Sequence, residues 1–147
     1  MNYIVTSNSD GISENLQNRI AVLESKIRDF NLNKVGKFKC VDILVEVFHE
    51  NNFAGCGIGY IRCKSLYISI IFIEEGFRSK KLGTNILQKL EEKSLEFDAQ
   101  YFYLNTANFQ MGKALYEKNG YKVVYEREIW TEDHIKYIDY LMVKHLK

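Results

Sequence analysis

Apolar and polar residues follow two different periods along this chain, and the switches between them mark the elements. Met1 to Thr6, with Tyr3, Ile4 and Val5, reads as a first strand closed by the polar stretch Ser7 to Gly11. Leu16, Ile20, Leu23, Ile27 and Phe30 then recur every three or four positions. That is one stripe of a helix that packs a single face on a sheet, with Ser13 able to cap it. Only two heptads are present, so core packing fits better than a coiled coil.

Val41 to His49 and Phe53 to Cys63 read as strands joined at Glu50-Asn51-Asn52, an Asn-rich turn that suits an antiparallel hairpin. Gly55, Gly57 and Gly59 alternate in the second strand and thin one of its faces. Either a helix or a ligand comes close there, or the strand is twisted with little to pack. A turn at Lys64-Ser65 leads into Leu66 to Ile73, an apolar, β-branched run long enough for a buried strand. After the acidic turn Glu74-Glu75-Gly76 the period returns to 3.6. Leu82, Ile86, Leu87, Leu90 and Phe97 share one face, and Lys81, Lys89, Glu92 and Glu96 fall mostly on the other. Gln100 to Thr106 is a compact strand, and the helix before it makes the crossover of a parallel pair with Leu66–Ile73. Lys122 to Trp130 and Ile135 to Lys144, joined at Thr131 to His134, read as a C-terminal hairpin.

Composition narrows the picture without naming a chemistry. The 147 residues suit one domain with a real core, and 46% hydrophobic with 27% charged residues are ordinary globular values. A formal charge of +1 argues against bulk nucleic-acid or membrane binding. There is no proline to mark a linker, no internal repeat and no low-complexity tract. Cys40, Cys56 and Cys63 are odd in number without a Cys-x-x-Cys pair, and read as reduced structural thiols. No secretory signal opens the chain and no apolar run reaches the ~20 residues that span a bilayer, so a soluble, cytoplasmic protein is expected.

Chemistry enters at residues 77–84. Phe77-Arg78-Ser79-Lys80-Lys81-Leu82-Gly83-Thr84 is a basic, Gly-containing segment between a strand and a helix. The free N–H groups of a first helical turn, together with the helix dipole, favour an anion such as phosphate there. Walker A is excluded because its Gly-x-x-x-x-Gly-Lys-Ser/Thr run is missing, and the dinucleotide fingerprint because Gly83 stands alone.

Arg78-x-x-Lys81-x-Gly83 resembles the pyrophosphate loop of the GNAT acyltransferases, Arg/Gln-x-x-Gly-x-Gly/Ala, with Lys81 in place of the first glycine. The stretch Asn108 to Tyr121 resembles a later motif of that superfamily, a short helix ending in Leu-Tyr-Glu-Lys-x-Gly-Phe/Tyr, here Leu115-Tyr116-Glu117-Lys118-Asn119-Gly120-Tyr121. A helix with a Gly C-cap accounts for the second motif alone, but not for its pairing with the basic loop. The resemblance covers about residues 40 to 143 well and the first forty loosely.

That resemblance implies an α/β (α+β) fold, residues 1–147 forming a single N-acetyltransferase domain. Its mixed, mostly antiparallel sheet has a central splayed parallel pair and is flanked by helices. It implies acetyl-CoA as co-substrate and no metal, with an amine attacking the thioester directly in a ternary complex. The pantetheine arm is expected between the splayed strands, against the backbone of Ile71, Phe72 and Ile73. The phosphates are expected at Lys81, Leu82, Gly83 and Thr84, with Arg78, Ser79, Lys80 and Lys81 adding contacts. Tyr116 stands where the superfamily often has the acid for the departing thiolate. Backbone N–H groups near Phe72 and Ile73 are candidates for the oxyanion contact.

Glu46, Tyr67, Glu74 and Asn105 all remain open as the base, whereas His49, His134 and His145 read as surface residues. Where the superfamily often has a coenzyme-contacting asparagine, this chain has Phe109 between Asn108 and Gln110. Asn108 is carried forward as a coenzyme contact. The acceptor is expected to be a small primary amine. A peptide or protein amine, and a silent acyl-CoA-binding sensor, are the alternatives, and a homodimer is left open. The first forty residues, which shape the acceptor side of the superfamily and vary most within it, do not name the amine.

Overall fold

The computed structural model describes residues 1–2, 4–7, 14–37, 40–78 and 81–146, in two compact units, 1–38 and 39–147. In the first unit helix α1 spans Glu14–Val35. Lys34 in its last turn complements the dipole, and Gly36, at φ 77, donates its N–H to the Leu32 carbonyl at 3.0 Å. The expected stripe is in phase but open. No residue of α1 is buried, and Leu23, Ile27 and Phe30 are each more than half exposed. The strand expected at Met1–Thr6 does not form in the residues described there. Ile4 and Val5 are almost fully exposed, so their side chains gain nothing from extended pairing. Ser13, the expected cap, lies outside the described residues.

The second unit is built from strands β1 (Cys40–His49), β2 (Asn52–Arg62), β3 (Ser65–Ile73), β4 (Tyr101–Ala107), β5 (Lys122–Trp130) and β6 (Lys136–His145), with helices α2 (Leu82–Leu95) and α3 (Gly112–Lys118). One six-stranded sheet runs in the order β1-β2-β3-β4-β6-β5, and every pairing is antiparallel except β3 with β4. Two-residue turns set the first registers. Glu50 and Asn51, then Cys63 and Lys64, all take positive φ, the geometry that matches the twist of a hairpin. The C-terminal helix motif begins later than its sequence suggests. Asn108 to Met111 form a turn, and α3 starts only at Gly112.

The core lies between α2 and the sheet. Ile86, Leu87 and Leu90 of α2 are fully buried with Leu66, Ile68, Phe102, Leu104 and Met142. Burial of each such side chain is worth about 1.5–3 kcal/mol. The thinned face of β2 is explained by that helix. A Cβ at Gly57 would come within 2.3 Å of Ile86 Cγ2, so α2 sits this close only because glycine is there. A polar tie crosses the same layer. The Tyr121 hydroxyl donates to Glu91 Oε1 at 2.9 Å, and Lys144 Nζ meets Glu91 Oε2 at 2.7 Å. This joins α2, the end of α3 and β6.

Candidate active site

Strands β3 and β4 run side by side only from Ser65 opposite Tyr101 to Ile68 opposite Leu104. At Ser69 the register slips. Gly59 of β2 pairs with Ile68 and Ile58 with Ile70, which leaves Ser69 as the extra residue of a bulge. Bulges bend a strand and end its regular pairing. Beyond this one, β3 continues to Ile73 and β4 to Ala107 with no pairing between them. The parallel pair therefore opens as a V. On its β2 side β3 stays paired to Ile73, and on the other side residues 69–73 present an open backbone edge.

Helix α2 begins at the opening of that V. Its N-cap residue Lys81 has φ 59, the left-handed region, and no side chain caps the helix. The first intrahelical bond runs from the Asn85 N–H to the Lys81 carbonyl at 3.1 Å. The N–H groups of Leu82, Gly83 and Thr84 thus have no partner within the helix. The left-handed angle explains why a glycine is usual at this loop position, and what a lysine costs there. Gly83 faces Leu115 of α3. A Cβ on it would stand 3.1 Å from Leu115 Cδ2, so glycine lets α3 approach the first turn of α2. Arg78 turns back on β3, its Nε donating to the Ile73 carbonyl at 3.3 Å.

A cavity of about 530 Å³ fills the V. Ser69, Ile70, Ile71 and Ile73 wall it along β3, and Asn105 and Thr106 along β4. Phe77, Arg78, Lys81, Leu82, Gly83 and Thr84 close one end, while Gln110, Met111, Gly112, Leu115 and Tyr116 close the α3 side. Arg78 and Lys81 are the charged residues among the described lining, and no carboxylate is. Tyr116 is 8% exposed, and burial pushes its phenol up from the ordinary 10.0, so it stays protonated at neutral pH. Its ring meets Tyr121 edge-on at 5.9 Å. The Schellman bonds Tyr121 N–H to Tyr116 carbonyl (3.0 Å) and Gly120 N–H to Glu117 carbonyl (3.1 Å) fix the end of α3.

The structure brings together Ile71, Ile73, Arg78, Lys81, Leu82, Gly83, Thr84 and Tyr116, all expected from sequence. Phe72 alternates away from the cavity and is 43% exposed. Ser79 and Lys80 lie outside the described residues. Asn108 is placed elsewhere. Its Oδ1 accepts the Ile138 N–H at 3.0 Å and its N–H donates to the Ile138 carbonyl at 2.9 Å, tying β4 to β6. Of the base candidates, Asn105 alone lines the cavity. Glu46 and Glu74 are exposed on other parts of the sheet unit. Tyr67 lies tilted against Tyr103 with ring centroids 5.0 Å apart, in a row whose Tyr103 is pushed up by burial and then by Tyr101 and Tyr67. His49, His134 and His145 are exposed, as expected.

Sequence reasoning missed Ser69, Ile70, Thr106, Gln110 and Met111. The bulge residue is marked only by one polar side chain, Ser69, in an otherwise apolar run, which does not by itself signal a slip of register. Gln110 and Met111 had a signal, since they stand directly before the motif helix.

The geometry has the parts for a long phosphorylated thioester, namely an open strand edge, unpaired helical N–H groups, two cations and a buried phenol. Comparison with known proteins bears on the same residues. The family model for the acetyltransferase (GNAT) domain matches residues 43–144. A crystal structure of an acetyltransferase from Bacillus cereus ATCC 14579 is similar at a TM-score of 0.80 and 19% identity, covering 99% of this chain and 98% of that one. The PaiA N-acetyltransferase of Thermoplasma acidophilum, solved with coenzyme A, is similar at 0.59 and 17%, over 84% of this chain and 70% of that one. The ribosomal-protein-S18-alanine N-acetyltransferase of Escherichia coli follows at 0.63 and 15%, over 82% and 76%. At such identities the likeness is one of fold. No curated protein matches the sequence.

Proposed function

Because the chain belongs to the GNAT acetyltransferase family, and is an acetyl-CoA-dependent N-acetyltransferase by that membership, we propose that it acetylates a primary amine of a small molecule by direct attack in a ternary complex. One observation carries the reading. The open edge of β3, the free N–H groups of α2 and Tyr116 converge on one cavity.

In this reading Leu82, Gly83 and Thr84 donate to pyrophosphate oxygens, and Arg78 and Lys81 add charge-assisted contacts, with Ser79 and Lys80 kept as further candidates from the sequence. Ile71 to Ile73 pair with the pantetheine amides as a strand would. The amine nitrogen forms the new C–N bond as the C–S bond breaks. Tyr116, held protonated by burial, gives its proton to the departing sulfur. Asn105, the base candidate that lines the cavity, would hold the water that takes the proton lost by the amine. The reading takes residues 1–147 as one domain, supported by the full-length Bacillus cereus likeness. It places the protein in the cytoplasm, supported by three free thiols. Among the described residues no helix is long and apolar enough to cross a membrane.

Amine-dependent release of free thiol from acetyl-CoA, over a panel of small amines and lysine peptides, tests this. Release with a small amine is expected. Release with peptides alone would move the acceptor to a protein. Stabilisation by acetyl-CoA with no release on any amine would favour the sensor.

A further inference from the structure

Gly112 and Tyr116 stand one turn apart on the same side of α3, and both line the cavity. Side chains of a helix lean toward its N-terminus, so the Tyr116 ring is carried back over Gly112. There it meets no side chain. A Cβ built on Gly112 would stand 2.8 Å from Tyr116 Cε2 and 3.5 Å from Cζ, the carbon that bears the hydroxyl, with Thr106 Oγ1 at 3.3 Å. Carbon atoms in contact stay about 3.5–4.0 Å apart, so the ring occupies the space that a side chain at Gly112 would need. The backbone does not ask for this glycine. Gly112 opens α3 without the positive φ that Gly36 and Gly120 have. What it supplies is room. The ring also meets Tyr121 edge-on at 5.9 Å, and Tyr121 is anchored by its hydroxyl on Glu91 and by its N–H on the Tyr116 carbonyl.

We infer that Gly112 is a positioning residue for acetyl transfer, whose missing side chain sets the pose of the Tyr116 phenol and so the reach of its hydroxyl to the departing sulfur. An aromatic ring is rigid. With a Cβ beneath it and an anchored tyrosine against it, it can only swing about its own torsions or push α3 aside. Either movement displaces the hydroxyl from the place where the C–S bond breaks and the sulfur takes up the phenol proton. The phenolate left behind recovers a proton from the solvent that received the one lost by the amine. The inference rests on the reading of Tyr116 as that acid.

Gly112→Ala, alone and combined with Tyr116→Phe, separates this role from packing. Alanine suits a helical φ better than glycine, so the melting temperature is expected not to fall. Thiol release with an accepted amine, measured where chemistry limits the rate, gives kcat and KM for acetyl-CoA in wild type, both single variants and the double variant. A misplacement of about 1 Å can cost ~10²-fold, so Gly112→Ala is expected to lose at least about tenfold in kcat with KM near wild type. In the Tyr116→Phe background no hydroxyl is left to misplace, and the same substitution is expected to change kcat by less than about twofold. Wild-type turnover in Gly112→Ala would overturn the inference. So would an equal loss in both backgrounds, a raised KM with kcat unchanged, which would mean that the Cβ obstructs the coenzyme, or a loss that comes with a lowered melting temperature. Tyr116→Phe as fast as wild type, or a wild type that turns over no amine, would sink the acid reading first, and the inference with it.

Discussion

Tyr116 is the residue on which turnover should depend most. Tyr116→Phe removes one hydroxyl and almost no volume from a site that is nearly closed. General acid help is worth ~10²–10⁴-fold in rate. The variant is expected to lose turnover by at least about tenfold with KM for acetyl-CoA near wild type, the pattern of an interaction made only in the transition state. Thiol release under conditions where chemistry limits the rate is the check, and a variant as fast as wild type would make Tyr116 a packing residue. Its ionisation has a sign as well. Burial raises the phenol above 10.0, so any alkaline limb due to Tyr116 lies above that pH. A limb near neutrality that disappears in Tyr116→Phe would contradict this.

Lys81 makes a second case at this scale. Its left-handed backbone costs about 1–2 kcal/mol that glycine would not. Lys81→Gly should therefore raise the unfolding free energy in denaturant by about 1 kcal/mol while weakening coenzyme A in low salt. If the two proteins still differ in affinity in high salt, Lys81 does not act through its charge.

Among the elements, α2 shows what a sequence can and cannot reveal. Its first residue, Leu82, and its buried positions Ile86, Leu87 and Leu90 were legible because they repeat at the helical period. Strand β5 appears at Lys122–Trp130, as expected, because the glycine before it and the polar turn after it are strong punctuation. The bulge at Ser69 was not legible, since Ile68 to Ile73 carry no alternation from which a slip could be read. Nor was the partner of Glu91, which lies far along the chain at Tyr121 and Lys144. That tie predicts a cost. Glu91→Leu strands a hydroxyl and an ammonium, and should destabilise by roughly 1.5–3 kcal/mol, the range for hydrogen bonds to a charged group. Equilibrium unfolding measures it, and an unchanged midpoint would show that solvent already satisfies both groups.

For the whole molecule, the family and the sheet were legible from two motifs in order, whereas the N-terminal quarter was not. Its helix was readable from period alone, but its covering was not, because a stripe does not say what it meets. In the residues described there, the strand expected at Met1–Thr6 does not form, and Ile4 and Val5 stay exposed. Titration acts at this scale too. Tyr103, Tyr116 and Tyr121 are all raised in the fold, with burial the first cause of each. Such groups contribute stability below the unfolded phenol value near 10, and it is lost as the pH rises through it. The denaturation midpoint should fall between about pH 9 and about pH 11, and fall less in Tyr121→Phe. An equal fall in both would place the alkaline loss elsewhere.

The central claim is that the V between β3 and β4, closed by the first turn of α2, is where acetyl-CoA binds. Calorimetric titration of acetyl-CoA into wild type and Gly83→Glu tests it most directly. A carboxylate at that position would sit against the pyrophosphate, yet it suits a helix N-terminus, and the Leu115 methyl group 3.1 Å from the new Cβ belongs to a flexible side chain. The variant should fold and give no binding heat, while wild type binds. A folded Gly83→Glu with wild-type affinity would contradict the account.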